Sequence, residues 1–227
     1  MSNEHGWDRL VSLVDKMGRE VPLAMQQLWL GGRILPVGAS LVVRHVFQIE
    51  SNKPAEVVYA FMLPRDAAMR RFTVTGKNFS ITSELKKTKE AVQSYEAGIQ
   101  KGNLSALVRQ YRDGVVNLSL GNLRPRETVT VLLELVAGVE TRDDGFRFRF
   151  PFTLAPSYHP RARGVESRPG KGELVVPGEE FGDVMLPEWR FDSKNLHEIG
   201  FDLELWSPSG VNEVASPSHS IRITTAP

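Results

Sequence analysis

The sequence contains no cysteine among its 227 residues. That absence excludes disulfide bonds, cysteine-ligated zinc and thiol chemistry. Long apolar runs are also missing, because stretches such as "VPLAM" and "VLLELVAGV" are far shorter than the roughly 18 residues that a membrane-spanning helix requires. The N-terminus mixes acids and bases and lacks the basic region and unbroken apolar run of a signal peptide. We therefore expect no membrane insertion and, by default, a cytoplasmic location.

An excess of one charge is absent as well. Lysine and arginine number 28 against 27 for aspartate and glutamate, which gives a formal net charge of +1. Proteins that bind nucleic acid usually present a basic face or stripe. The balance of charge therefore argues against a nucleic-acid partner.

Residues with the arrangement of a catalytic or metal site are also missing. None of the five histidines lies at metal-ligand spacing from another, and His45 falls on the apolar side of a strand pattern, as a core histidine would. Ser218 and His219 are adjacent, and we expect neighbouring side chains in a turn or strand to point apart. The pair also lacks the G-x-S-x-G setting of a hydrolase nucleophile. The sequence therefore predicts a chain that is not an enzyme and that holds no metal and no cofactor.

What the sequence does contain is a series of short strand patterns. Alternating apolar residues between positions 41 and 49 share one face, and these are Leu41, Val43, His45, Phe47 and Ile49. Turn signals separate these strand patterns, at Gly31–Gly32, Gly76–Lys77, Asp113–Gly114 and residues 142–145. Phe146, Phe148 and Phe150 alternate with arginines and predict another strand. Strands spaced this closely predict a mainly β protein, a β-sandwich of antiparallel strands.

Two segments have helical periodicity instead. Residues 7–17, "WDRLVSLVDKM", place apolar residues three and four positions apart and predict a short amphipathic N-terminal helix. Residues 88–102 predict one α-helix inserted among the strands, with Thr88 as its cap and Gly102 just past its end. Gly98 inside this helix costs about 1 kcal/mol relative to alanine, which indicates close backbone packing. The buried side of this helix is predicted to consist of Val92, Tyr95 and Ile99.

The C-terminal third is less regular. Residues 156–172 are rich in Pro, Gly and Arg and predict a loop or linker. Strand patterns return in "ELVVPG", "GFDLELWSPSG" and "HSIRITT". We divide the chain into an N-terminal helix (1–20), a sandwich (21–160), a linker (161–172) and a C-terminal β-extension (173–227) that packs on the sandwich or leads towards a further domain.

Four motifs occur in an order that resembles one known family. They are "FMLPRDAAMRRFTVTG", the helix from Tyr95 to Gly102, "LGNLRP" at 120–125 and "FRFPFTLAPSYHP" at 148–160. Together they are similar to the VIT (vault protein inter-alpha-trypsin) domain, over about residues 21–160. The signature residues that the resemblance implies are Tyr95, Gly102, Gly121, Asn122, Pro125 and Pro156. The sequence departs from the family pattern at Gly98 (alanine in the family), Arg126 (glycine) and Ser157 (a basic residue).

Residues 200–223 resemble the segment that follows the VIT domain in proteins that continue into a von Willebrand A (VWA) domain. The resemblance implies that this chain is the N-terminal part of such a protein, since no D-x-S-x-S motif occurs in it. The alternative is a free-standing VIT protein.

The function that the resemblance implies is a non-enzymatic scaffold, which positions a VWA domain in cis and binds a protein partner. The candidate partner surface is the Arg- and Pro-rich loop, with Tyr158, His159, Arg161, Arg163 and Arg168, and the N-terminal helix is a second candidate. The alternative is a carbohydrate- or matrix-binding sandwich. Its candidate aromatic residues are Trp189, Trp206, Tyr158 and Tyr111.

Overall fold

The computed structural model describes residues 13–14, 20–21, 23–50, 52–152, 161, 163–169, 171–182, 184, 186, 188–190 and 198–225. The strands in these residues, in chain order, are β1 (Leu13–Val14), β2 (Glu20–Val21), β3 (Leu23–Leu35), β4 (Gly38–Ile49), β5 (Ala55–Met62), β6 (Ala68–Gly76), β7 (Phe79–Thr82), β8 (Ser105–Gln110), β9 (Val115–Leu123), β10 (Thr128–Ala137), β11 (Glu140–Arg142), β12 (Gly145–Arg147), β13 (Arg163–Arg168), β14 (Lys171–Val175), β15 (Glu188–Arg190) and β16 (Glu198–Leu205). The helices are α1 (Thr88–Gln100) and α2 (Gly178–Phe181), with a 3-10 turn at Arg112–Gly114. Neither α-helix of the described residues has the length and apolar character needed to cross a membrane.

Two large sheets form the body of the fold. One contains six strands in the order β16-β3-β4-β10-β6-β7, and the other contains five in the order β2-β1-β5-β9-β8. Their facing sides share one hydrophobic core. The predicted mainly β class, a sandwich with one inserted helix, is therefore confirmed. One pairing differs from the antiparallel rule, because β16 joins β3 in parallel. A strand that returns after a long connection is free to pair in this direction.

The predicted alternation in β4 places its apolar side in the core. Leu41, Val43, His45, Phe47 and Ile49 are each 1% exposed. The His45 ring lies 5.2 Å from the ring centroids of both Tyr59 and Phe61 on β5. His45 is therefore a core histidine, as predicted, packed between the two sheets.

β5 and β9 are buried on both faces over most of their length. One face belongs to the core between the sheets, and α1 covers part of the other. A second, smaller core lies further along that outer face, where Met62 and Val115 meet Leu174 and Phe181 from the C-terminal part of the chain. Two separate segments therefore cover the outer face of the five-stranded sheet.

The turn predicted at Gly31–Gly32 is wrong. β3 continues through both glycines to Leu35, and the turn lies at residues 36–37. Gly32 has φ +145°, and a Cβ there would overlap the carbonyl oxygen of Ser40 on the neighbouring strand. The glycine is needed for a close approach of two strands rather than for a turn.

The N-terminal helix predicted for residues 7–17 is wrong at Leu13–Val14, which form β1. This short strand pairs with β2 and, through Val14 and Val58, with β5. Pairing with a sheet edge has overridden the helical spacing, as tertiary context often does. The remaining residues of the predicted helix lie outside the described part of the chain.

The predicted linker at 161–172 is also largely wrong. Residues 163–168 and 171–175 form the antiparallel hairpin β13–β14, and β15 extends it to a three-stranded sheet. Further on, the "HSIRITT" segment at 219–225 is not a strand. The strand predicted at Phe146–Phe150 ends at Arg147, although Phe148 and Phe150 still pack against the core.

Candidate functional site

The signature residues converge where α1 crosses the end of β9. Tyr95 is the buried residue of α1, with 7% of its surface exposed, and Val92 and Ile99 beside it are half-buried. The Tyr95 hydroxyl donates a hydrogen bond of 2.7 Å to Oε1 of Glu56 on β5. Burial, and then the hydrogen bond to Glu56 and its charge, raise the pKa of Tyr95 well above the usual range. The tyrosine therefore ties the helix to the sheet in its neutral form.

The end of α1 is held by its own backbone and by β9. Gly102 has φ +74° and its N–H donates to the carbonyl of Ile99 at 2.9 Å, while the N–H of Asn103 donates to the carbonyl of Gly98 at 2.9 Å. This pair of bonds is a Schellman motif. Asn122, itself at φ +57°, donates from Nδ2 to the carbonyls of Ile99 at 3.1 Å and Asn103 at 2.8 Å. The predicted end of the helix is confirmed, but Lys87 rather than Thr88 is the N-cap residue.

Two glycines allow this close contact. A Cβ at Gly121 would overlap Cδ1 of Ile99 and would lie 3.1 Å from the Tyr95 hydroxyl oxygen. A Cβ at Gly98 would overlap the hydroxyl of Ser105 at the start of β8. Close packing of the α1 backbone, inferred from Gly98, is therefore present. The cluster explains the family signature as packing and capping.

Pro125 is followed by Arg126 at a position where the family has glycine. Arg126 has φ +56°, which is the left-handed region that glycine adopts without strain. Its guanidinium donates from Nε (3.1 Å) and Nη2 (3.0 Å) to Oδ1 of Asn52, and its carbonyl accepts a bond of 3.0 Å from Nε2 of Gln48. These contacts offset the strain of a side chain at this position.

The hairpin β13–β14 carries part of the predicted partner surface. Its inner side packs Leu174, 8% exposed, into the second core. Its outer side carries Arg163 opposite Val175, and Val165 opposite Glu173. The two valines are 48% and 49% exposed, and Arg163 is exposed as well. We call this set of four residues the hairpin face.

Arg161, just before the hairpin, is already engaged within the chain. Its guanidinium pairs with Oε1 of Glu179 at 2.8 Å and with Glu180, both on α2. A backbone hydrogen bond of Glu179, and then its bond with Arg161, lower the pKa of the Glu179 carboxyl. Arg161 and Arg163 are both exposed, and the Arg161 guanidinium is held by ion pairs with α2.

For the other residues of the predicted partner surface, the structure describes either the backbone alone or nothing. Arg168 lies within β13, of which only the backbone is described there. Tyr158, His159 and the signature residue Pro156 lie outside the described residues.

The four aromatic residues that are candidates for carbohydrate or matrix binding differ in their surroundings. Trp206 is 53% exposed, and Tyr111 is half-buried with the Arg109 guanidinium 5.9 Å from its ring centroid. Trp189 lies in β15, of which only the backbone is described, and Tyr158 is outside the described residues. No group of three or more His, Asp or Glu in the part of the chain that the structure describes could hold a metal ion.

Ser218 and His219 do not point apart as expected, because Ser218 Oγ lies 2.8 Å from Nδ1 of His219. Both side chains are exposed. A catalytic serine would bond the other ring nitrogen, while Nδ1 would face an orienting carboxylate. The observed contact is therefore the wrong one for a hydrolase.

Residues 25–135 match the family model of the vault protein inter-alpha-trypsin domain. Among curated relatives, protein mono-ADP-ribosyltransferase PARP4 is 27% identical over 135 residues in Mus musculus, covering 60% of this chain and 7% of that protein. The Homo sapiens protein of that name is 29% identical over 144 residues, 63% of this chain and 8% of that protein. Von Willebrand factor A domain-containing protein 5A of Rattus norvegicus is 26% identical over 179 residues, 78% of this chain and 21% of that protein.

The chain thus matches a small part of each of these relatives. The part that carries the family match contains α1, the signature cluster and most of both large sheets. Residues 25–135 of this chain are therefore similar to the vault protein inter-alpha-trypsin (VIT) domain.

Proposed function

We propose that this chain is a non-enzymatic protein-interaction module that positions a VWA domain and binds a protein partner through the hairpin face. The comparisons support the first part, because several relatives are named as VWA domain-containing proteins. The observation that carries the second part is the pair of exposed valines, Val165 and Val175, on a hairpin whose other side is packed into the protein.

The geometry of the hairpin makes these valines neighbours. Val165 faces Glu173 and Val175 faces Arg163, so the two valines are diagonal partners on one side of the ladder. Single exposed apolar residues are normal on a protein surface. Adjacent ones flanked by an arginine resemble the apolar centre and arginine-rich composition of protein interfaces.

The name of PARP4 is not a reason to propose transferase activity here. The matched stretch covers 7% and 8% of the two PARP4 proteins. The proposal therefore concerns the shared domain alone.

The test is a comparative capture experiment. The full chain, a Val165→Asp variant and a Val211→Asp variant would each be immobilised, crosslinked to lysate proteins and analysed by mass spectrometry. Val211 is 41% exposed and lies outside the hairpin, so it is the matched control. Proteins captured by the unmodified chain and by Val211→Asp, but lost with Val165→Asp, would support the proposal. Identical capture by all three would overturn the hairpin face as the contact.

A glycan array run with the same preparations tests the alternative. Because Trp206 is the most exposed of the described candidate aromatic residues, a positive signal that Trp206→Ala abolishes would favour carbohydrate binding. If the array were positive and the capture experiment found no protein partner, the protein-interaction proposal would be overturned.

A further inference from the structure

The segment after β16 is held by few contacts. Residues 207–225 contain no helix or strand, and all but four of them are exposed: Ser207, Val214, Ser216 and Ile221 are half-buried. The N–H of Trp206 still donates to the carbonyl of Ile34. Beyond it, no backbone hydrogen bond joins residues 207–225 to another described part of the chain. Side chains must therefore determine the path of this segment.

His219 provides a side-chain anchor. Its ring centroid lies 5.9 Å from that of Phe201 on β16, with an angle of 82° between the planes. It lies 6.2 Å from that of Phe152, with an angle of 73°. Both are edge-to-face contacts of the kind that aromatic rings prefer. Phe152 and Phe201 both pack against the main core, so His219 is attached to the body of the sandwich.

The neighbouring serines fix the position of the imidazole. Ser218 Oγ lies 2.8 Å from Nδ1 of His219, and the backbone N–H of His219 donates to Oγ of Ser216 at 3.2 Å. Pro217 between them restricts the backbone further. The sequence Ser-Pro-Ser-His thus forms a compact turn that presents one ring to the two phenylalanines.

We propose that residues 216–219 are a latch, in which His219 docks on Phe152 and Phe201 and so fixes the direction in which residues 207–225 leave the sandwich. The inference rests on the proposed function, because a fixed exit direction is what a module that positions a following domain requires. It assigns the Ser-Pro-Ser-His motif a docking role in place of a catalytic one.

The experiment uses two spin labels in the full chain. Because the chain has no cysteine, Ser40→Cys on β4 and Thr224→Cys near the end of the segment give two unique sites, both exposed. Double electron–electron resonance then reports the spread of distances between the sandwich and the segment. The variants are His219→Ala, which removes the ring, His219→Phe, which keeps an aromatic ring, and Asn212→Ala, an exposed control in the same segment.

A narrow distribution in the parent, in His219→Phe and in Asn212→Ala, which broadens in His219→Ala, is the expected result. A parent distribution as broad as that of His219→Ala, or a narrow one in both, would overturn the latch. Equal thermal midpoints of the variants would show that β16 remains paired. Since no partner or VWA domain is present in this measurement, failure of the latch is distinct from failure of capture by the hairpin face.

Discussion

The hydroxyl of Tyr95 on α1 lies 2.7 Å from Oε1 of Glu56 on β5, so one hydrogen bond connects the inserted helix to the five-stranded sheet. A Cβ at Gly121 of β9 would lie 3.1 Å from the same hydroxyl oxygen, so the absence of a side chain there makes room for it. This relationship explains why a tyrosine and a glycine that are far apart in the sequence belong to one family signature.

Two substitutions at Tyr95 separate the hydrogen bond from the packing of the ring. Tyr95→Phe removes the bond alone and should lower the free energy of unfolding by about 1 kcal/mol. Tyr95→Ala also removes the buried ring and should cost about 3 kcal/mol or more. Chemical denaturation followed by circular dichroism measures both. If Tyr95→Ala were as stable as the parent, the helix would not depend on this contact.

Alkaline pH should reduce the stability that this contact contributes to the folded protein. Burial and the Glu56 contact raise the pKa of Tyr95 above its ordinary value of 10.0, and burial also raises that of Tyr59. In the unfolded chain these tyrosines ionise near pH 10, whereas in the folded protein they stay neutral. Their contribution is therefore complete below about pH 10 and is lost as the pH rises further. Thermal midpoints measured from about pH 8 to about pH 11, on both sides of the ordinary tyrosine pKa, should fall less steeply in Tyr95→Phe than in the parent. Equal slopes would contradict this assignment.

Gly121 and Ile99 should behave as a coupled pair. Gly121→Ala places a methyl group on Cδ1 of Ile99 and should cost about 1 to 3 kcal/mol through overpacking. Ile99→Ala removes the atoms that it overlaps. The double variant should therefore be more stable than the sum of the single losses implies, by roughly 1 kcal/mol in a double-mutant cycle. Strict additivity would show that the two positions do not meet.

Much of this cluster could be predicted from the sequence. Tyr95 was identifiable from helical spacing and Gly102 from its place after the last helical turn, because both signals are local. Asn122 as a cap of α1 and Glu56 as the partner of Tyr95 were not identifiable, since these hydrogen bonds join residues that are 19 to 39 positions apart. The family resemblance named Asn122 without giving its contacts.

The errors have the same origin. Leu13–Val14 have helical spacing but pair with a sheet edge, and Gly31–Gly32 resemble a turn but lie inside β3. The Pro- and Gly-rich stretch near residue 165 resembles a linker, although its hairpin is stabilised by the docking of Leu174. In each case a tertiary contact outweighed the local propensity. The fold class could still be predicted, because it depends on the alternation of apolar and polar residues along the strands. That alternation remains even where single segments are assigned to the wrong element.

Arg126 offers a test of the strained loop. At φ +56°, glycine is unstrained and alanine is not. Both substitutions remove the bonds to Asn52, so Arg126→Gly should be more stable than Arg126→Ala by about 1 kcal/mol. Arg124, exposed and outside the left-handed region, is the matched control. There the order should reverse, with Arg124→Ala the more stable variant. The same order at both positions would refute the backbone argument.

Phe181 should hold the C-terminal hairpin on the sandwich. It is 2% exposed and packs with Leu174 against Met62 and Val115, in a core separate from the main one. Phe181→Ala should therefore cost about 3 kcal/mol locally, without opening the main sheets. Hydrogen exchange measured by mass spectrometry should become faster in β13 and β14 and remain unchanged in β4, because local opening exposes only the amides that undock. Val175→Ala, at an exposed position of the same hairpin, should leave both rates unchanged. Faster exchange throughout the chain in Phe181→Ala would instead show that the two cores unfold as one unit, and the hairpin would then be an integral part of the sandwich.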